Sequence, residues 1–213
     1  QPSNRGIFTP TADNSVSIGA MLAISASNPA TVLLATTGGV FRSTDEASSW
    51  NKLDTIPSSG FPFSVVAIHP DDPARLYAIQ GLSIDRSAPY TAADRFPSPD
   101  LLASTNGGTT WSSIAIDNGS DVYSYGMVID DNDTPTNFGD DILLVATATA
   151  GILRSANGGQ TWARSNLGLG APTAGQPECF QIASRKRVGP DAVYVVTRVI
   201  PGTPAIGGIY KSE

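Results

Sequence analysis

Apolar positions come in short runs separated by Gly, Pro, Asn, Asp and Ser, and the runs recur in one order. Residues 21–24 are apolar, Asn28-Pro29 marks a turn, and 31–36 form a β-branched run. Gly38-Gly39 marks the next turn, and 40–43 lead to Trp50. Short runs bounded by such signals predict strands joined by tight turns. The order returns at 64–68, 75–79 and 101–104, again at 125–129, 142–147 and 151–155, and a fourth time at 179–183, 192–197 and 208–212. An extra run, 6–9, precedes them. The pattern predicts four units at about 19–53, 62–115, 123–166 and 178–213, taken as one domain over 1–213 with no sizeable helix. Regular short strands of this kind predict an all-β fold.

An eight-residue stretch ends the third strand of three units: Ser43-x-Asp45-x-Ala47-x-Ser49-Trp50, Ser104-x-Asn106-x-Gly108-x-Thr110-Trp111 and Ser155-x-Asn157-x-Gly159-x-Thr161-Trp162. It returns at intervals of about fifty to sixty residues, near the length of one supersecondary unit. Asp and Asn oxygens bond nearby backbone N–H groups, Ser and Thr hydroxyls add local bonds, and Gly supplies positive φ. Each copy therefore predicts a hairpin turn, and each Trp is expected to be a buried anchor restarting the strand. The fourth unit matches its predecessors through Gly208–Ser212, without a copy of the stretch.

These three stretches resemble the Asp-box, or BNR repeat, with pattern S-x-D-x-G-x-T-W. Asn106 and Asn157 replace its Asp, and Ala47 and Ser49 replace its Gly and Thr. The resemblance implies a β-propeller, with the boxes joining the third and fourth strands at the blade periphery. In that setting Asp45, Trp50, Asn106, Trp111, Asn157 and Trp162 are structural. Asp-box propellers include sialidases, xyloglucan-cleaving glycoside hydrolases, sortilin-type receptor domains and a photosystem assembly factor. They generally have more than four blades, so the four units read as part of a larger propeller or as one closed by other means. Residues 5–10 supplying a last strand, a homo-oligomer, or a partner chain would each complete it.

Composition narrows the function classes. Hydrophobic residues make up 40% and charged residues 15%, with 21 glycines and 16 prolines, which suits a turn-rich β protein. The net charge of −6 and the absence of a basic stretch beyond Arg185-Lys186-Arg187 argue against nucleic acid as a partner. That basic run is expected to fill a solvated turn. A single cysteine, Cys179, rules out an internal disulfide framework and is expected to be buried and inert. No run approaches the roughly 18 apolar residues of a membrane span. The chain begins at Gln1, as a processed secreted protein or an excised fragment would. The expected setting is secreted, periplasmic or cell-surface.

The candidate contact site is the insertion at 81–99, between the second and third strands of its unit. Loops there share a propeller face with the connections between blades, where ligands usually bind. Asp85, Arg86, Asp94 and Arg95 offer charge-assisted hydrogen bonds, and Tyr90 and Phe96 offer apolar contacts. The bland alternative is a decorated loop whose Asp and Arg residues pair with each other. Hydrolysis of a glycoside needs two carboxyls about 5 to 9.5 Å apart. Sequence spacing at Asp85, Asp94 and Asp100 does not establish that. The sialidase Phe-Arg-Ile-Pro motif is absent, and all three Trp belong to the repeated stretch, leaving none to stack a sugar. The acidic loop at 130–141 has the oxygens of a calcium site, with Asp131 and Asp133 as candidate ligands, but not the order of an EF-hand. A solvated turn is the alternative. His69, the one histidine, is expected in a surface turn. The sequence thus predicts a non-enzymatic binding or assembly module with a protein or carbohydrate partner, or alternatively a secreted Asp-box glycoside hydrolase.

Overall fold

The computed structural model describes residues 19–36, 38–57, 63–80, 101–116, 124–147, 150–169, 179–187, 189–197 and 208–212. These form four small antiparallel sheets, each a simple meander, with no helix among them. They fall into two compact units, blades 1 and 2 up to Ile114 and blades 3 and 4 from Ala115.

In the first unit, blade 1 is β1 (Gly19–Ile24), β2 (Val32–Thr36), β3 (Gly39–Ser43) and β4 (Asn51–Lys52). Blade 2 is β5 (Phe63–Ile68), β6 (Leu76–Gln80), β7 (Leu101–Ser104) and β8 (Ser112–Ile114). Side chains alternate between sheet faces, so each strand sorts its residues into two sets. Met21, Ala23, Leu33, Ala35 and Val40 share one face of blade 1 and bury into a common core with Val66, Ile68, Leu76, Ala78 and Leu102 of blade 2. β1 and β2 both pack on β5. At roughly 1.5–3 kcal/mol per fully buried Val or Leu, this face supplies most of what holds the two sheets together.

In the second unit, blade 3 is β9 (Ser124–Asp130), β10 (Ile142–Thr147), β11 (Ile152–Ser155) and β12 (Ala163–Arg164). Blade 4 is β13 (Cys179–Arg187), β14 (Gly189–Thr197) and β15 (Gly208–Ser212). Ala146 and Ile152 bury with Cys179, Ile182 and Val195, and Val128, Leu144 and Val193 pack around them. β9 comes so close to β13 that a Cβ at Gly126 would stand 3.2 Å from Ile182 Cγ2.

All four first strands break register with their neighbours at the same place. Ala20, Ser64, Tyr125 and Phe180 each sit where pairing skips one residue. Such a bulge bends the strand and increases its twist. Its presence in blade 4 marks that sheet as a true member of the repeat.

Three expectations need correction. Residues 185–187 belong to β13, not to a turn, because β13 and β14 pair out to Arg187 and Gly189. His69 is fully buried, because its ring folds back into the β5–β6 connection and Nδ1 accepts the Asp71 N–H at 3.2 Å. Of the three Trp only Trp50 is buried, packed with Val32 and Phe41, while Trp111 and Trp162 are half-buried. Cys179 is buried, as expected.

Candidate functional site

The two ends of the blades are built differently. At one end lie the β1–β2 and β3–β4 connections and their counterparts, including the three repeated turns. In each turn the serine hydroxyl (Ser43, Ser104, Ser155) donates to the side-chain oxygen of Asp45, Asn106 or Asn157 at 2.8, 3.0 and 2.9 Å. The same serine accepts the N–H of Ala47, Gly108 or Gly159 at 2.9, 2.9 and 2.8 Å. Oδ1 of the Asp or Asn in turn accepts the N–H of Ser49, Thr110 or Thr161.

The remaining atom of that side chain decides the direction of the last bond. Asp45 Oδ2 accepts from the Ser49 hydroxyl at 2.6 Å, whereas Asn106 and Asn157 donate Nδ2–H to Thr110 and Thr161 Oγ1 at 2.8 Å. Asp and Asn are therefore interchangeable because a hydroxyl serves as donor or acceptor. The fourth residue of each turn also donates its N–H across the blade end, from Glu46 to Ala30 O, Gly107 to Ala74 O and Gly158 to Asp141 O. The repeated turn thus fastens the connection between the first two strands, a function its sequence does not display.

These bonds, led by those from Ser49, lower the Asp45 carboxyl from 3.8 to about 2. A carboxyl this acidic, with its oxygens already engaged, is a poor general acid near neutral pH. The shift carries a stability consequence with a defined sign. The folded-state pKa lies below the unfolded value, so the stabilisation is complete above about pH 4 and is lost as pH falls toward 2. Because Asp45 is exposed, the effect is a modest one. Thermal melts of Asp45→Asn against the parent should differ by a constant amount above about pH 5, and the parent should lose ground to the variant between pH 4 and pH 2. A pH-independent difference across that window would mean that the carboxylate hydrogen bonds do not persist in solution.

The acidic connection from Asp130 to Asp141 lies at this end. Asp131 is buried and its Oδ1 accepts the Asp133 N–H at 3.2 Å, while Asp130 Oδ1 accepts the Asn132 N–H at 3.0 Å. Thr134 donates to Asp140 Oδ1 at 2.8 Å. Asn132 and Asp133 both have positive φ, a conformation that short polar side chains tolerate. Among the described residues no group of three or more His, Cys, Asp or Glu is placed to hold a metal ion.

At the opposite end lie the connections between second and third strands. Blades 1 and 3 close them tightly with a threonine that was not among the expected site residues. Thr36 Oγ1 donates to Gly39 O at 3.0 Å and accepts the Gly38 N–H. Thr147 Oγ1 donates to Gly151 O at 2.8 Å and accepts the Ala150 N–H. Thr197 in blade 4 accepts the Gly208 N–H at 3.3 Å. A threonine closing the second strand with a glycine opening the third was a readable signal. Blade 2 departs from it, with Gln80 at the end of β6 and residues 81–100 before β7. The candidates Asp85, Arg86, Tyr90, Asp94, Arg95 and Phe96 lie in that stretch, outside the described residues.

Small antiparallel meanders with a shared bulge, repeated end turns and inter-sheet apolar faces are the blades of a β-propeller. No protein-family model matches the chain, and no curated protein does. Solved structures do. An ancestral GH74 enzyme superposes with a TM-score of 0.57 at 19% identity, over 91% of this chain and 25% of that one. The GH74 xyloglucanase from Xanthomonas campestris gives 0.56 at 16% identity, over 91% of this chain and 29% of that one. YCF48 bound to D1 peptide gives 0.50 at 14% identity, over 88% and 52%. The chain therefore has the propeller fold and spans about a quarter of the length of the GH74 structures it matches.

Proposed function

We propose that the chain is a non-enzymatic binding or assembly module outside the cytoplasm, built on Asp-box propeller blades and recognising a protein segment. One observation carries this reading. Blades 1 and 3 join their second and third strands through short threonine-capped turns, while blade 2 devotes residues 81–100 to the same connection. Long connections between scaffold strands are where binding residues concentrate. Asp85, Arg86, Asp94 and Arg95 supply ionic hydrogen bonds for a polar chain, and Tyr90 and Phe96 supply apolar anchors. The peptide bound to YCF48, a propeller of similar fold, supports a protein ligand. The three repeated turns are Asp-boxes on this reading, with side chains engaged in structure.

The second reading is a secreted glycoside hydrolase of the Asp-box type with a carbohydrate substrate, and the GH74 likeness favours it. One experiment separates the two. The chain and a variant with 81–99 replaced by a tight turn are titrated against arrayed peptides, and both are incubated with xyloglucan while new reducing ends are measured. Peptide binding that the variant loses, with its melting curve unchanged and no new reducing ends, is the expected result. Reducing ends released by the parent chain would establish the hydrolase instead, and retention of all peptide binding by the variant would remove the segment from the site.

A further inference from the structure

The chain has three Asn-Gly peptides. Asn106-Gly107 and Asn157-Gly158 fill the third and fourth positions of the repeated turns, and Asn118-Gly119 lies outside the described residues. Asn is a thermolabile residue, and Gly is its most permissive successor, because without a Cβ its nitrogen can swing onto the Asn side chain. In that reaction the Gly nitrogen bonds to Cγ, and its proton leaves with the Nδ2 amine as ammonia. Water then opens the cyclic imide. Opening at Cγ gives Asp, whereas opening at the backbone carbonyl gives isoaspartate, in which the main chain runs through the side-chain carbons.

Every reacting group is engaged in the folded turn. The attacking nitrogen is tied by its proton, Gly107 N–H to Ala74 O at 2.8 Å and Gly158 N–H to Asp141 O at 3.0 Å. The leaving Nδ2 donates to Thr110 or Thr161 Oγ1 at 2.8 Å, and Oδ1 accepts the N–H of the same threonine at 2.9 Å. Asn106 is exposed and Asn157 partly so, hence water reaches both and only the bonds restrain them. Blade 1 shows what the Asp product would meet. Asp45 keeps the serine and N–H donors, and the Ser49 hydroxyl turns to donate to Oδ2. The Thr110 and Thr161 hydroxyls can rotate in the same way. Isoaspartate, with a longer backbone and a shorter side chain, cannot hold both sets of bonds.

We propose that Asn106 and Asn157 are deamidation sites that the intact turn locks and whose aspartate product it accepts. Ring closure requires the turn to open first. A turn converted to Asp closes again in the form seen at Asp45, with charge-assisted hydrogen bonds in place of neutral ones. A turn converted to isoaspartate does not close.

Ageing the 213-residue chain at mildly alkaline pH, folded and unfolded in urea, tests this by peptide mapping and mass spectrometry. Asn106 and Asn157 should lose their amides about tenfold or more slowly in the folded chain, since reaction there waits on local opening. Thr110→Val removes the acceptor of Asn106 Nδ2 and keeps the Thr110 N–H position. It should speed conversion at Asn106 several-fold and leave Asn157 in the same molecule unchanged, while its melting curve reports any wider loss of structure. Asn106→Asp should melt at or above the parent at neutral pH. When the urea-aged chain is refolded, the native fraction should carry Asp at 106 and 157, with isoaspartate confined to the fraction that does not refold. Equal rates in the folded and unfolded chain would overturn the lock, as would a rate at Asn106 indifferent to Thr110→Val. Melting of Asn106→Asp below the parent, or isoaspartate at 106 in the native fraction, would overturn the selective acceptance of Asp.

Discussion

Replacing Trp50 by Ala should cost about 3 to 5 kcal/mol of folding free energy, the range for a buried large aromatic. The same change at Trp111 or Trp162 should cost only about 1 to 2 kcal/mol, because those rings are half-buried and each gives up one hydrogen bond with its packing. The difference originates at the fifth residue of the turn. Where it is Gly108 or Gly159, the indole Nε1–H donates to that residue's carbonyl, at 3.1 and 3.0 Å. Where it is Ala47, the residue packs against the cluster of Val32, Phe41 and Trp50, and Trp50 Nε1 finds no acceptor among the described residues. Trp50 therefore acts by packing alone. Trp50→Phe should accordingly be mild, since it removes a buried donor that has no partner, whereas Trp111→Phe should lose about 1 kcal/mol with its bond. Urea melts of these variants decide the matter. Trp50→Ala falling level with Trp111→Ala would mean that the Val32–Phe41–Trp50 cluster does not persist in solution.

The alternation of short apolar runs with Gly, Pro and Asn was enough to read the strands, because period-two burial and turn chemistry are local properties. The first three strands of every blade form where they were expected, blade 4 included. Features that depend on how strands and connections pack within the folded blade were not legible. The bulge falls on Ala20, Ser64, Tyr125 and Phe180, which share no residue type, because a skipped pairing is a property of the backbone and calls for no particular side chain. His69 looked like a turn residue because Pro70 follows it, but its ring is enclosed by the connection it begins. Trp depth was equally hidden, since it depends on the side chains each ring meets in the folded blade, Val32 and Phe41 for Trp50. The structural half of the candidate site was written in the repeated stretch, whereas the bonds from each turn to Ala30, Ala74 and Asp141 of the same blade go to backbone carbonyls, which any residue can supply.

Gly158→Ala should be the most damaging single-methyl change in the repeated turns, at about 2 to 5 kcal/mol. Its φ of +63° lies in the left-handed region, where a Cβ costs roughly 1–2 kcal/mol. The methyl would also run into the Phe138 carbonyl oxygen, part of the β9–β10 connection that lies over the turn. Backbone cannot swing aside as a side-chain tip does, and Gly158 N–H is itself tied to Asp141 O at 3.0 Å. Overpacking of this kind adds about 1–3 kcal/mol. The equivalent Gly107, with φ of +69°, provides the control, because a Cβ there meets the end of the Arg42 side chain, Nη1 at 2.6 Å. That tip can move, so Gly107→Ala should cost about 1–2 kcal/mol, mostly from its backbone conformation. The third equivalent residue is Glu46, already held at φ of +58°, so Glu46→Gly should stabilise the chain by about 0.5 to 1 kcal/mol. Midpoints of urea melts at unchanged slope give all three values on one scale. If Gly158→Ala and Gly107→Ala prove equal, the β9–β10 connection does not press on the turn, and the fastening of the two connections in blade 3 is lost with it.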